Sequence, residues 1–359
     1  MIHAMKTIRI HKNTTFLFSL LTLAFLALIA LIALPSCEIG DIDPGDKEPN
    51  KVVLNKKAAE ILQADRQFAF ELFKKVHELS NADNLMISPL STSYALGMTL
   101  NGAAGTTRDA FREVLHFEDL SDQEVNESYL DLMSQLVTLD KQVQFSIANS
   151  IWVKLGYQVL AAFINTNKAY FNAAVEELDF SDPGAKDIIN GWIEDKTNDK
   201  IQDMLDYIPA DAVMYLINAI YFNATWKYQF DPEETFEDDF TLAEGGTHRC
   251  DFMQVEGAFN YTSQATFSAV ELPYGDSAFS MVLLLPKPEV SIDDLVGSLN
   301  AESWESWMNA AYPTNVLIQF PKFKYDFKSL LNDPLTELGL GIAFTDHADF
   351  SRITPGGGI

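Results

Sequence analysis

Two cysteines and six histidines are the residues of this 359-residue chain whose side chains are best suited to nucleophilic, acid–base or metal chemistry. Cys37 and Cys250 lie in unrelated sequence surroundings, so they predict no disulfide framework. Four histidines follow the N-terminal region, and none has a Cys, His or carboxylate at the spacing of a metal-binding motif: His77, His116, His248 and His347. The sequence therefore predicts no metal site and no cofactor.

The chain also lacks the short motifs of common enzymes. It contains no G-x-S-x-G elbow, Walker loop, G-x-G-x-x-G or H-E-x-x-H sequence. Cys250 could be a nucleophile, but a lone cysteine is more often a small buried hydrophobic residue. A triad assembled from distant positions stays open as the basis of a hydrolase, which would need a Ser–His pair. We expect a protein that is not an enzyme.

Cys37 has a different chemical setting, because it follows a segment typical of export. Residues 1–36 carry three basic and no acidic residues, and residues 16–34 are almost entirely apolar. The next residues, Leu34-Pro35-Ser36-Cys37, resemble the bacterial lipobox, in which a peptidase cuts before a lipidated cysteine. We expect residues 1–36 to be a lipoprotein signal peptide and Cys37 the lipidation site. An uncleaved anchor or an ordinary signal peptide is the alternative.

The charge of the chain limits its partners. With 51 acidic and 25 basic residues, the formal net charge is −26, which argues against nucleic acid as a partner. Residues 37–57 begin with a stretch rich in Asp, Glu, Pro and Gly, and we expect a flexible acidic tether there. Acyl chains on Cys37 would attach the exported protein to the bacterial cell envelope, at the outer membrane or the cell surface.

Beyond the tether, helical and strand patterns alternate within one predicted domain, residues 58–359. Ser88 and Pro89 are typical of a helix start, and Thr106 with Asp109 resembles a capping box. Residues 213–222 are apolar apart from Asn218 and predict a strand buried on both faces. Further helices are predicted at 57–79, 163–172, 185–204, 292–299, 302–311 and 329–340, and further strands at 143–153, 174–180, 267–272, 279–285 and 316–320. This mixture predicts an α+β fold with large mixed sheets.

Several segments of this domain resemble the serpin family, and they occur in the family's order. They are residues 84–91 (NLMISPLS), 102–107 (GAAGTT), 148–152 (ANSIW), 189–193 (INGWI), 197–201 (TNDKI), 218–222 (NAIYF), 271–274 (ELPY), 280–286 (SMVLLLP), 320–323 (FPKF) and 348–351 (ADFS). Each segment alone is weak, but together they span most of the domain. The resemblance implies the serpin fold, with large mixed and antiparallel sheets and about eight or nine helices.

The resemblance also implies a function and roles for five residues. Serpins inhibit serine proteases, and some cysteine proteases, by offering a reactive loop that inserts into the central sheet after cleavage. Ser88, Ser91 and Asn218 match the family's shutter, the polar cluster beneath the sheet centre. Trp226 matches the breach tryptophan, where the loop enters, and Trp192 matches a residue that packs the overlying helix onto the sheet. A monomer is implied for the complete protein.

Two local departures and the position of Ile359 qualify this resemblance. Asp199 stands where the family usually has glycine, and Asn223-Ala224 replaces a common Lys-Gly pair. In the family, the reactive loop and the last strands follow the segment that reaches Ile359. We therefore expect the reactive-site bond to lie beyond Ile359, so that this chain lacks the C-terminal strands. The alternative function is a non-inhibitory serpin homologue or inactive product that acts as a surface binding protein.

Overall fold

The computed structural model describes residues 9–12, 52–53, 56–242 and 245–355. This part of the chain contains nine α-helices: α1 Lys56–Leu79, α2 Pro89–Leu100, α3 Gly105–Val114, α4 Asp122–Leu136, α5 Ala161–Phe171, α6 Ala185–Lys196, α7 Ile292–Ser298, α8 Ala301–Asn309 and α9 Asn332–Leu335. Its strands are β1 Arg9–Lys12, β2 Gln144–Lys154, β3 Ala174–Leu178, β4 Met214–Asn223, β5 Phe236–Thr241, β6 Thr247–Ser263, β7 Phe267–Tyr274, β8 Phe279–Pro286 and β9 Tyr312–Pro321. The predicted α+β class is confirmed.

The strands form two sheets. The smaller sheet has the order β3-β2-β4, with β2 parallel to β3 and antiparallel to β4. The larger sheet is antiparallel in the order β1-β9-β6-β7-β8, and β5 pairs with β6. Strand β1 belongs to the predicted leader and pairs with β9. None of the helices that the structure describes is long and apolar enough to cross a membrane.

Alternate residues of β2 serve two different hydrophobic clusters. Ile151 and Val153 pack into the largest cluster, with apolar residues of α1, α2, α4 and α5. Trp152, between them, faces the opposite side and packs with Ile189 and Ile193 of α6. This period of two is expected for a strand covered on both faces. The β3-β2-β4 sheet is therefore sandwiched between a helical layer and α6.

Helix α6 ends earlier than the sequence pattern predicts, at Lys196 rather than at residue 204. Asn198 and Asp199 both have left-handed backbones, with φ of 47° and 59°. The amide of Asp199 bonds back to the Glu194 carbonyl at 2.9 Å, which closes the end of the helix. Beyond this point Ile201 and Met204 are exposed, while the loop carries Leu205 onto the α6 cluster.

Three other predictions about elements are wrong. The N-cap of α3 is Ala104, with no side-chain cap, so Thr106 and Asp109 form no capping box. Strand β4 is mostly half-buried rather than buried on both faces. The last predicted helix starts at Asn332 and is interrupted at Gly339, whose φ of 114° is not helical. Helix α4 and the long β5–β6 hairpin were not predicted.

Candidate functional site

A chain of polar side chains lies at the centre of the β3-β2-β4 sheet. The Ser91 hydroxyl of α2 donates a hydrogen bond to Asn218 Oδ1 of β4 at 2.5 Å. Asn218 Nδ2 donates to Asn149 Oδ1 of β2 at 2.8 Å, and Asn149 Nδ2 donates to the Phe171 carbonyl at 2.6 Å. We call Ser91, Asn218, Asn149 and the Phe171 carbonyl the polar relay. It joins two helices and two strands through three hydrogen bonds.

Burial makes the polar relay costly to break. Asn149 is only 3% exposed, while Asn218 and Ser91 are half-buried. A buried amide left without a partner costs about 1–3 kcal/mol, so each member of the relay stabilises its neighbour's position. Movement of β4 away from β2 or α2 would leave these groups unpaired.

The structure brings together two of the three residues predicted for the shutter. Ser91 and Asn218 are in direct contact, whereas Ser88 is exposed and lies outside the relay. Ser88 Oγ accepts a hydrogen bond from the Ser91 amide at 3.3 Å and caps α2, with Pro89 at the first helical position. Ser88 therefore fixes where α2 begins, and with it the position of Ser91. The shutter role of these residues stays a prediction.

Sequence reasoning gave Asn149 no role in the candidate site. Asn149 lies in the middle of β2, directly opposite Asn218 in the ladder with β4. Two asparagines in neighbouring apolar strands were a signal, because a buried asparagine needs a partner. Their register, however, cannot be known from the sequence alone.

Trp226 lies just beyond the end of β4, where the two sheets meet. Its ring stacks on Tyr274 of β7, with centroids 4.3 Å apart and an interplanar angle of 15°. Phe230 contacts the indole edge-on at 5.9 Å, and Phe222 reaches the same Tyr274 from β4. The predicted breach residue therefore belongs to an aromatic cluster that fixes the end of β4 against the larger sheet.

Trp192 packs α6 onto the β3-β2-β4 sheet. Its ring meets Trp152 of β2 edge-on, with centroids 6.4 Å apart. Asn190, on the same helix, exchanges two hydrogen bonds with the backbone of Leu205, at 2.9 and 2.8 Å. Helix α6 and the loop after it are thus attached as a layer over β2 and β4, and the role of Trp192 in the family's mechanism stays a prediction.

One edge of β4 has no strand partner among the residues that the structure describes. Strand β4 pairs along its length with β2, and β4 is the last strand in the order β3-β2-β4. An unpaired edge offers a row of backbone donors and acceptors to another extended segment. The polar relay lies beneath the middle of this edge strand.

The described residues provide little for nucleophilic or metal chemistry. Burial raises the pKa of the Cys250 thiol, and Asp251 and Asp238 raise it further, so Cys250 is a poor nucleophile at neutral pH. No group of three or more His, Cys, Asp and Glu side chains within the described ranges is arranged to hold a metal ion. Cys37, the predicted lipidation site, lies outside the described residues.

Comparisons with known proteins support the resemblance seen in the sequence. Residues 63–358 match a family model described as "Serpin (serine protease inhibitor)". Human neuroserpin is 31% identical over 304 residues, covering 81% of this chain and 74% of neuroserpin. An uncharacterized serpin-like protein from Methanosarcina acetivorans is 31% identical over 303 residues, covering 82% of this chain and 70% of that protein.

Solved structures agree with the sequence comparisons. The latent state of the thermophilic serpin tengpin has a TM-score of 0.77 and 30% identity, covering 85% of this chain and 81% of tengpin. Ovalbumin from the emu, Dromaius novaehollandiae, has a TM-score of 0.79 and 26% identity, covering 83% of this chain and 82% of that chain. The fold described above is therefore the fold of these proteins.

Proposed function

The chain belongs to the serpin family, and we propose that the complete gene product inhibits a serine-type endopeptidase by inserting a cleaved reactive loop beside β4. The loop would first be attacked as a substrate. Its insertion as a new strand, with the protease still attached, would then trap the acyl-enzyme, as in inhibitory members of the family. The polypeptide is a protease inhibitor in this proposal rather than an enzyme.

The match of residues 63–358 to the serpin family model carries this proposal, and the edge of β4 that has no strand partner among the described residues supports it. A ten-residue strand presents this edge, and β4 has hydrogen bonds to β2 on its other side. An inserted strand would add a ladder of backbone hydrogen bonds and bury apolar surface that is now half-exposed. Insertion therefore has a thermodynamic driving force.

The polar relay supplies the resistance to insertion. Ser91 and Asn149 hold Asn218 from two directions, so β4 cannot shift without breaking hydrogen bonds at its centre. Trp226 fixes the end of β4, and Trp192 holds α6 over the sheet. We assign these residues to a kinetic barrier that keeps the protein in its active form until the loop is cut.

The reactive loop itself would lie C-terminal to Ile359, so the proposal concerns the complete gene product. The residue that selects the protease would lie in that loop. Serine proteases are the first partner class, and cysteine proteases are the second. We expect the complete protein to act as a monomer.

Incubation with a panel of serine and cysteine proteases tests the proposal. The complete protein should form a one-to-one complex that resists boiling in detergent, because the acyl bond is covalent. Its formation should be abolished when the catalytic serine of the protease is inactivated beforehand. Cleavage of the protein by every protease without any complex would support the non-inhibitory alternative and overturn the inhibitor proposal.

We also propose that the protein is exported and lipid-anchored at the bacterial cell envelope through Cys37. The basic start, the apolar stretch and the Leu-Pro-Ser-Cys sequence of residues 34–37 support this. Cleavage before Cys37 would remove β1 from the mature chain. A Cys37→Ser variant should lose incorporation of a labelled fatty acid and leave the membrane fraction. Equal membrane association of the variant and the wild type would contradict lipidation.

A further inference from the structure

A carboxylic acid lies inside the helical layer that covers the β3-β2-β4 sheet. Ile61, Asp65, Phe68 and Leu72 follow one another on the buried stripe of α1, so Asp65 occupies a position that the helix otherwise gives to apolar residues. All four are buried. The sequence gives no reason for a charge there, and neither the polar relay nor the proposed inhibitory reaction uses it.

The partners of Asp65 are few and neutral. Tyr129 of α4 donates its hydroxyl hydrogen bond to Asp65 Oδ1 at 3.2 Å. The Ser93 hydroxyl of α2 lies beside the carboxyl and donates to the Leu90 carbonyl at 3.1 Å. Asp65 Oδ2 is buried with no hydrogen-bond partner among the described residues. The titratable groups that face Asp65 from the packed helices are the phenols of Tyr94 on α2 and Tyr129 on α4.

This setting favours the protonated acid. A buried carboxylate is stable when a cation or several donors compensate its charge, and here the phenol of Tyr129 is the one donor to the carboxyl among the described residues. Burial raises the pKa of Asp65 from its ordinary value of 3.8 to about 7, although the nearby hydroxyl groups of Ser93 and Tyr129 oppose the shift. Burial, followed by the nearby Asp65 carboxylate, also raises the pKa of both phenols, so they stay neutral.

Helix α2 connects this carboxyl to the sheet. Ser93 contacts Asp65, and Ser91, two residues earlier on α2, donates to Asn218 in the polar relay. Tyr129 also donates to the Ser93 carbonyl at 3.4 Å, so α4 and α2 meet at the same point. A change in the packing of α1 against α2 is therefore transmitted to the helix that holds the centre of β4.

We propose that Asp65 is a proton-dependent brace, which when protonated holds α1 against α2 and α4 and when ionised loosens α2 and the polar relay beneath β4. The proposal does not depend on the inhibitory function, because it concerns the folded domain. The pH range over which Asp65 loses its proton includes neutral pH. A modest change in pH would therefore alter how readily the sheet opens.

The sign of the pH dependence follows from the raised pKa. The folded state binds the Asp65 proton more tightly than the unfolded state does, so the stabilisation is complete below pH 3.8 and is lost as the pH rises to about 7. Between these values the unfolding equilibrium constant should rise by up to roughly tenfold per pH unit. Other carboxylates titrate in the acidic part of this range, so the effect must be read as a difference between variants.

The Asp65→Asn variant isolates the contribution of Asp65 to the pH dependence of stability, because the amide keeps the shape of the acid and cannot ionise. Denaturant unfolding of the complete protein and of Asp65→Asn should be compared from pH 5 to pH 8, with exposed Asp109→Asn of α3 as a control of equal charge change. Asp65→Asn should gain stability relative to wild type as the pH rises, and Asp109→Asn should follow wild type. Hydrogen exchange of the β4 amides should accelerate with pH more steeply in wild type than in Asp65→Asn, after correction for the intrinsic exchange rate.

An infrared measurement keeps the proposal falsifiable if Asp65→Asn folds poorly. Wild-type protein near pH 6 should show the carbonyl band of a protonated carboxylic acid, which disappears as the pH is raised through 7 and is absent from Asp65→Asn. A wild type with no such band near pH 6 would overturn the proposal. The proposal would also be overturned if stability and hydrogen exchange of the β4 amides each depended on pH in the same way in wild type and in Asp65→Asn.

Discussion

At the scale of single residues, the sheet is held by pairs of polar groups that have few alternative partners. Asn149 and Asn218 face each other across β2 and β4, and Ser91 completes the hydrogen bonding of Asn218 from α2. The net free energy of a hydrogen bond in such a place is small. The cost of leaving its buried partner unpaired is larger. The effect of a substitution should therefore depend strongly on which partner remains.

Ser91→Ala should destabilise the fold by about 1–2 kcal/mol, because it leaves Asn218 Oδ1 without its donor in a half-buried site. In a double-mutant cycle with Asn218→Ala, the two effects should not add, and the coupling energy should exceed about 0.5 kcal/mol. Urea unfolding measures both quantities. Ser134→Ala on α4, which removes an exposed hydroxyl, is the control and should change stability by less than about 0.5 kcal/mol. Additive effects of the Ser91 and Asn218 variants would contradict the relay.

Asp199→Gly should stabilise the protein by about 1 kcal/mol. Asp199 has a φ of 59°, a backbone region that costs residues with a side chain about 1–2 kcal/mol and glycine very little. The structure therefore explains why the family usually has glycine there. Asp211→Gly makes the same chemical change at a residue without positive φ and should not stabilise. The melting temperatures of the two variants, each compared with wild type, test this prediction. Equal shifts in melting temperature would exclude backbone strain as the cause.

The sequence predicted the candidate residues unequally well. Asn218 was conspicuous because it interrupts an apolar strand, and Ser91 because it belongs to a helix start with a recognisable motif. Asn149 was missed because its importance comes from the register between β2 and β4, which pairs strands about seventy residues apart. Asp65 was not noticed, since its burial depends on how α1 packs against α2 and α4.

At the scale of elements, the segment of residues 348–355 is fixed to the ends of three helices. Ile353 is buried against Gly102, its carbonyl accepts the Leu160 amide at 2.7 Å, and Arg352 pairs with Asp122 at 3.0 Å. These contacts attach the segment to the ends of α2, α4 and α5.

Gly102→Ala should release this segment. A Cβ at Gly102 would overlap Cγ1 and Cδ1 of Ile353, so the segment must move, at a cost of about 1–3 kcal/mol. The rate of trypsin cleavage after Arg352, followed by mass spectrometry, should increase. Gly191→Ala on α6 is the control, because an added Cβ there meets nothing within 4 Å and alanine favours a helix. Unchanged cleavage in Gly102→Ala would show that the contact with Ile353 is dispensable.

The elements themselves were predicted where local periodicity is strong. Helix α1 and strands β7 and β8 lie close to their expected positions. The end of α6 was placed too late, because apolar residues after Lys196 continue a helix-like pattern while the backbone turns. The β5–β6 hairpin was missed, because the acidic residues in the middle of β5 interrupt the apolar pattern by which strands are recognised.

At the scale of the whole molecule, two opposing features define how the protein would act. In the proposed mechanism, the edge of β4 that has no strand partner among the described residues accepts a new strand, while the polar relay, the Trp226 cluster and α6 resist its insertion. A state that is trapped in this way is governed by a barrier rather than by equilibrium stability. The formal net charge of −26 makes copies of the chain repel one another, and this repulsion is separate from the balance between closure and opening of the sheet.

The most direct measurement of strand insertion is the melting temperature of the complete protein before and after a single cut in its reactive loop. Insertion of the cut loop beside β4 should add hydrogen bonds and bury apolar surface, so the cleaved form should melt well above the intact form. A cleaved protein that melts at the same temperature as the intact protein, with the loop confirmed to be cut, would contradict insertion and with it the proposed mechanism of inhibition.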